Sequence, residues 1–198
     1  MACSVYTSKI RKVCVIDETE AEFVRAIARL VIPTRGVFGV AKLLDHLYLG
    51  SRSDAMNIKK LERLGITHIL NAIDGTDQST TSESFYGNKF KYFGFSSDDS
   101  YMYPIMNHFE DVYNFIEDAR ISGGKCFIHC RSGINRSGAL SVGYVMVHKN
   151  IGPVSAARLA IAERGCVLNN SGFIQRVVKF ASERNLLHHD ADEVSAVK

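Results

Sequence analysis

The sequence predicts an α/β fold built on a largely parallel sheet, and three observations carry that reading. Short apolar runs of strand length alternate with longer stretches whose apolar residues recur at helical spacing. Two of the runs, Ile66-Thr67-His68-Ile69-Leu70-Asn71 and Lys125-Cys126-Phe127-Ile128, are nearly continuous in apolar character, as strands covered on both faces are. The second run passes through a short polar loop into Gly138–His148, which reads as a buried helix. With 198 residues, 46% hydrophobic and 23% charged, the chain suits one such domain with modest extensions.

Residues 1–18 are mixed and polar around a short apolar patch, Val13-Cys14-Val15-Ile16. Phe23, Ile27, Leu30 and Val31 then place an amphipathic helix over Glu20–Ile32, with Thr19 and Glu22 as its capping box and Pro33 as its stop. A bend follows at Gly36-Val37-Phe38-Gly39. The apolar face of this helix serves either to cover the domain or to dock a partner, including a second copy of the chain. His46–Gly50 alternates and ends in glycine, a strand pattern; Ser51–Arg63 is a helix with Ala55, Met56, Ile58, Leu61 and Leu64 available for its apolar stripe and Gly65 at its end. Strand, helix and then the strand at 66–71 imply a right-handed crossover.

Residues 74–88 are polar and long for a connection, which favours a functional loop, anchored by Phe85-Tyr86. Lys89–Phe95 alternates as a strand, Ser96–Tyr103 is a loop, and Pro104–Arg120 is a helix with Ile105, Phe109, Val112, Phe115 and Ile116 on one face. Gly123-Gly124 leads into the central strand. After the buried helix, Ile151-Gly152-Pro153 breaks the chain, and Val154–Arg164 forms a further helix. Asn169-Asn170-Ser171-Gly172 caps a last one, running through Phe173 to Ala181. The organisation expected is an N-terminal extension with one amphipathic helix (1–38), a catalytic domain (39–186) and a frayed polar tail (187–198).

The formal net charge of +3, with no long basic run, argues against a nucleic-acid partner. No stretch of eighteen apolar residues is present, so no membrane span is expected, and Met1–Lys9 lacks the apolar core of a signal peptide. Five cysteines without paired spacing suit reduced thiols and a cytoplasmic or nuclear setting. Cys126, His129 and Cys130 lack a second half-site at finger-like distance, so neither metal nor other cofactor is expected.

The chemistry concentrates in His129-Cys130-Arg131-Ser132-Gly133-Ile134-Asn135-Arg136-Ser137. Strand, tight loop and helix start turn backbone N–H groups and the positive helix end toward one point, which suits a phosphate. The same field favours a thiolate at Cys130 over a thiol. Gly133 permits the tight curve, and Arg136 brings a planar fork that matches two phosphate oxygens. The amides of Arg131, Ser132, Gly133, Ile134 and Asn135, with the Arg136 side chain, are the expected phosphate cradle. Cys130 is then a nucleophile at phosphorus. Ser137 can donate a hydrogen bond to its sulfur. His129, pointing away from the face Cys130 uses, is expected to brace the loop rather than act as a base. A carboxylic acid outside the loop has to protonate the leaving oxygen, and Asp98 and Asp99 both stand where either could reach. Cys126, four residues before Cys130 on the same strand, is expected in the core.

The H-C-x5-R-S spacing, set between a buried strand and a buried helix, resembles the cysteine-dependent protein tyrosine phosphatases. Over roughly residues 40–185 the chain looks like the atypical dual-specificity phosphatases, most like the VHR-like group. Leu47-Tyr48-Leu49-Gly50, Leu64–Ala72, Phe95–Phe109 and HCRSGINRS carry that resemblance. It implies a mixed, mostly parallel sheet with helices on both sides, a metal-free mechanism, and hydrolysis of phosphotyrosine and phosphothreonine or phosphoserine in proteins, a kinase activation loop among them. In that group the acid stands ten residues before an aromatic of the following helix, which selects Asp99, ten before Phe109. It also implies an Arg beyond the loop helices that holds a second substrate phosphate, and Arg164 falls in that segment.

Overall fold

A computed structural model describes residues 14–31 and 39–195. The stop at Pro33, the bend at Gly36-Val37-Phe38 and the start of the apolar patch at Val13 lie outside the described residues.

The sheet has five strands: β1 (Ala41–Leu44), β2 (Leu47–Gly50), β3 (His68–Asn71), β4 (Lys91–Gly94) and β5 (Cys126–His129), in the spatial order β1-β2-β5-β3-β4. Only β1 runs antiparallel to its neighbour. Every residue of β2, β3 and β5 is buried, which is why the β3 and β5 runs read as nearly continuous in apolar character. Alternation still divides them between two layers. Leu49, Leu70 and Ile128 face the larger core; Tyr48, Ile69 and Phe127 face a second one with Ala55, Leu61, Tyr86 and Phe90. The register sets Gly50, His129, Asn71 and Gly94 side by side, so four chains leave the sheet at one edge. Loops beyond the carboxyl ends of parallel strands are where α/β sheets hold ligands. β1, which the sequence reading did not foresee, is a four-residue strand joined to β2 by Asp45 and His46.

Helices cover both faces. α1 (Glu18–Leu30) packs on α7 (Pro153–Arg164) and α8 (Ser171–Glu183), and Phe23 and Ile27 are buried in the larger core. Phe23 and Ile27 of its apolar face are therefore covered within the chain, with Val24, Ala26, Leu30 and Val31 partly buried beside them. The cap also lies two residues earlier than the sequence reading put it. Asp17 accepts the Glu20 N–H at 2.8 Å while the Glu20 carboxylate accepts the Asp17 N–H at 3.0 Å. Aspartate outranks threonine as an N-cap, and Lys179 Nζ of α8, 3.1 Å from Glu20 Oε1, holds the buried carboxylate in place.

The helix expected over 51–63 is two: α2 (Arg52–Ala55), capped by Ser51, and α3 (Ile58–Leu64), capped by Asn57. The break leaves Met56 exposed. The long polar connection carries α4 (Glu83–Tyr86) and a 3-10 turn, Gly87–Lys89. Tyr86 anchors it, buried, with its hydroxyl donating to the Ala55 carbonyl at 3.1 Å. A 3-10 turn, Ile105–His108, precedes α5 (Phe109–Ile121). α6 (Arg136–Lys149) rises from the end of β5 through the middle of the core, with no exposed residue before His148.

The tail expected to fray is folded: a 3-10 turn, Leu187–Asp190, runs into α9 (Ala191–Ser195). Asp190 explains it. The N-cap of α7 is Gly152, which has no side chain to offer, and Asp190 serves instead. Its Oδ2 accepts the N–H of Val154 at 2.7 Å and of Ser155 at 3.2 Å, and its Oδ1 accepts the Ser155 hydroxyl at 2.5 Å. A Cβ at Gly152 would collide with that carboxylate. Asp190→Ala leaves buried donors unpaired and is expected to cost about 1–3 kcal/mol, read as a lower urea midpoint with an unchanged slope.

Candidate active site

The loop between β5 and α6 closes over the sheet edge where Gly50, His129, Asn71 and Gly94 line up. Gly133 has φ 68°, and a Cβ there would run into the backbone carbonyl of Gly50. Only glycine accepts both that conformation and that approach. The loop is pinned from three sides. The Arg52 N–H at the start of α2 donates to Arg131 O at 3.1 Å, and the Leu168 N–H donates to Ile134 O at 3.0 Å. Arg164 supplies the third tie: Nη2 donates to Ser132 O at 3.0 Å, Nε to Gly133 O at 3.3 Å, and Nη1 to Gly39 O. This corrects the expectation for Arg164. It is buried, with its fork spent on loop carbonyls, so it shapes the phosphate loop from behind instead of facing a second phosphate. Arginine fits there because several parallel N–H groups match several carbonyls at once.

Cys130 is buried at the mouth of this loop, with the Ser137 hydroxyl donating to Sγ at 3.2 Å. Burial alone would raise the thiol pKa. The Ser137 hydroxyl and N–H, the Arg136 charge and the Ile134 N–H outweigh it, and the pKa lies below that of an ordinary thiol. Ser137→Ala removes the first of these and is expected to move the pH midpoint of iodoacetamide alkylation upward, with the thiolate fraction at neutral pH falling accordingly. Cys126 shows the opposite environment: it is wholly buried among apolar groups, and burial pushes its thiol up.

His129 is fully buried, and desolvation pulls its pKa down to about 4. The ring stays neutral at physiological pH, Nδ1 lies 3.4 Å from Cys130 O, and the ring stacks on Phe127. It is part of the loop's support.

Arg136 is buried to 3% exposure. Its Nη1 donates to Ser97 O at 3.2 Å and its Nη2 to Gln78 Oε1 at 2.9 Å. Gln78 is itself held by Arg52 Nη1, which donates to its carbonyl at 2.8 Å. Nε has no hydrogen-bond partner, and lies 4.0 Å from Asp99 Oδ2. A buried guanidinium with one unpaired N–H next to a thiolate is an arrangement that waits for an anion.

Asp99 stands over the loop and Asp98 does not. The Asp99 carboxylate accepts the side-chain amides of Asn135 at 3.2 Å and Asn170 at 2.9 Å, one on each oxygen, and these contacts, not burial, set it apart, since Asp98 and Asp99 are both exposed. The side-chain oxygen Oδ1 of Asn135 accepts the backbone N–H groups of Asn169 and Asn170 at 2.9 and 3.0 Å, which joins the loop to the start of α8. The structure thus brings Cys130, Ser137, Arg136 and Asp99 together, with Ser132, Gly133, Ile134 and Asn135 around them and Arg131 exposed at the rim. Gln78 and the side-chain roles of Asn135 and Asn170 were missed. The length of the 74–88 connection was the one signal for Gln78.

A low-pKa cysteine, a buried arginine and a carboxylate over a cup of backbone amides define a site for a nucleophilic attack on a phosphate ester. The chain belongs to the dual-specificity phosphatases: the family described as dual specificity phosphatase, catalytic domain, matches residues 47–183. Human dual specificity protein phosphatase 26 is 35% identical over 133 residues, 67% of this chain and 62% of that protein, so the match spans less than two thirds of that relative. Mouse dual specificity protein phosphatase 13B is 32% identical over 140 residues, 70% of each chain. The solved structure of DUSP15 superposes with a TM-score of 0.67 at 32% identity, covering 76% of this chain and 93% of that one.

Proposed function

We propose that the protein hydrolyses phosphotyrosine and phosphothreonine or phosphoserine monoesters in proteins through a cysteinyl-phosphate intermediate. The observation that carries this is the pairing of a Cys130 thiol with a lowered pKa and an Arg136 Nε left without a hydrogen-bond partner beside it. In the first step the Cys130 thiolate attacks phosphorus and the phosphorus–oxygen ester bond breaks. Asp99 gives its proton to the leaving oxygen, and Arg136 with the loop amides carries the charge on the equatorial oxygens. In the second step water attacks the phosphocysteine, Asp99 takes a proton from it, and the sulfur departs as a thiolate stabilised by the Ser137 hydroxyl, releasing inorganic phosphate. No metal enters either step.

A kinase activation loop is a substrate class consistent with this site. A Dictyostelium discoideum relative, 34% identical over 144 residues, bears the name MAP kinase phosphatase with leucine-rich repeats protein 3. Reduced cytoplasm or nucleus is the setting we propose, since the chemistry needs a free thiol and Cys14, Cys126, Cys130 and Cys166 are all unpaired.

The test is release of phosphate from phosphotyrosine and phosphothreonine peptides in excess EDTA. Asp99→Asn is assayed beside the native protein on an aryl ester with a good leaving group and an alkyl ester with a poor one. Both peptides turn over, and the variant loses about 10²–10⁴-fold on the alkyl ester and less on the aryl one, because only the poor leaving group needs the proton. Tight phosphopeptide binding without turnover would overturn the reading in favour of a phosphate-binding module.

A further inference from the structure

A second cluster of chemistry-bearing side chains lies at the opposite edge of the sheet. His46 closes the β1–β2 turn, Glu117 is on α5 and His148 is near the end of α6. They are 71 and 31 residues apart in sequence, yet one donor atom from each lies within 4.8 Å of the other two. His46 immediately precedes Leu47, which pairs with Cys126, whereas Cys130 follows His129 at the far end of β5. A strand of four residues spans about 13 Å, so this cluster is separate from the catalytic cup.

The donors converge on one point. Tyr144 Oη stands among them, 2.7 Å from His46 Nε2, 2.6 Å from Glu117 Oε1 and 3.4 Å from His148 Nδ1. Glu117 Oε1 and His148 Nδ1 are 3.5 Å apart. Zinc–ligand bonds of roughly 2.0–2.2 Å in a tetrahedron separate neighbouring donors by about 3.3–3.6 Å, so two edges of the cluster already have that length. The rest need small shifts at His46 and at the two short hydrogen bonds of Tyr144. Arg120 braces the carboxylate from outside, with Nη2 and Nε donating to Glu117 Oε2 at 2.6 and 2.9 Å and Nε also to Oε1 at 3.1 Å. Oε1 at the same time faces the cluster through Tyr144 and His148, and the outer hydrogen bonds orient the carboxylate as they do at metal sites. Two imidazoles and one carboxylate, with room for a fourth oxygen donor, match zinc better than the all-oxygen cations.

We propose that His46, Glu117 and His148 form a zinc site, with Tyr144 or water in the fourth position, that clamps the β1–β2 turn to α5 and α6. The hydrogen bonds through Tyr144 are the metal-free form of the site. Zinc exchanges them for bonds to itself, and where water fills the fourth position Tyr144 hydrogen-bonds to that water. The site binds zinc independently of phosphate-ester hydrolysis.

The test is calorimetric titration of the full chain with zinc chloride in a Cys130→Ser background, where the catalytic thiolate cannot capture the metal. One equivalent is expected to bind. His148→Ala, on an exposed helix end, and Glu117→Gln, which keeps an acceptor for Tyr144, are each expected to weaken binding by at least tenfold. Both are also expected to abolish the rise in melting temperature that zinc produces in the parent. His188→Ala with His189→Ala, a histidine pair whose rings lie 4.0 Å apart in the tail, is expected to change neither. Melting in the absence of zinc shows that the variants fold. No binding to the Cys130→Ser protein, or equal binding after His148→Ala, would overturn the proposal and leave the cluster a hydrogen-bonded network.

Discussion

Replacing Cys130 by serine is expected to lower the turnover of an aryl phosphate by on the order of 10⁵-fold, the scale on which removing a covalent nucleophile acts. The site is built around an anion at Sγ: the Ser137 hydroxyl, the Ser137 and Ile134 N–H groups and the Arg136 charge all favour the thiolate over the thiol. A serine hydroxyl presents no comparable anion near neutral pH, and no base stands beside it. His129, the adjacent imidazole, is buried, stacked on Phe127 and directed at the Cys130 carbonyl. The loop amides, Arg136 and Asp99 remain, so the variant keeps its affinity for a phosphorylated ligand while turnover disappears. Single-turnover kinetics read the loss, and inhibition by inorganic phosphate reads the retained binding. Turnover that survives the substitution would refute the cysteinyl-phosphate route.

Arg136→Lys is expected to cost about 10³–10⁴-fold, the range in which an arginine clamp on a transferring phosphoryl group acts. Charge is conserved in this variant, so the loss isolates geometry. The guanidinium is fixed from behind by Ser97 O and the Gln78 side chain, and its Nε edge is the one left facing the cup. A lysine ammonium has no planar fork and cannot keep both rear contacts while reaching forward. Most of the loss falls in kcat, since the equatorial oxygens carry more charge in the transition state than in the ground state. Gln78→Ala leaves Arg136 in place but removes one of the two rear contacts, so its smaller loss reports how much of the effect is positioning. A loss confined to KM for Arg136→Lys would mean that the arginine only binds substrate.

What could be read directly from the sequence was what the chain encodes locally. Cys130, Arg136 and Ser137 lie within eight consecutive residues, and the apolar runs on either side state that a strand enters and a helix leaves. Strands β3 and β5 were legible because burial on both faces makes them nearly continuous in apolar character, and β2 because its run alternates and ends in glycine. What escaped depends on partners distant in sequence. Arg164 reads as a solvent-facing helix end or a substrate contact until the carbonyls of Gly39, Ser132 and Gly133 are placed around it. Asp190 reads as tail polarity until α7 is seen to start on a glycine. His46, Glu117 and His148 sit on three elements that nothing in their spacing relates. The split between α2 and α3 is a different kind of miss, for its signals were local: Ser51 with Asp54 forms a capping box, and Asn57 is a second cap within a single apolar stripe.

β1 matters beyond its four residues. Among the described residues it is the one antiparallel strand, and it closes the flank of a sheet whose next strand, β2, is buried throughout. The family match begins at Leu47, the first residue of β2. A fragment cut to that boundary would lose β1, and with it the strand that satisfies the outer amides and carbonyls of β2. The result is a sheet whose apolar edge strand is left unpaired, the kind of template on which chains add to one another. The unit expected to stay dispersed in solution is therefore longer than the unit that similarity marks out.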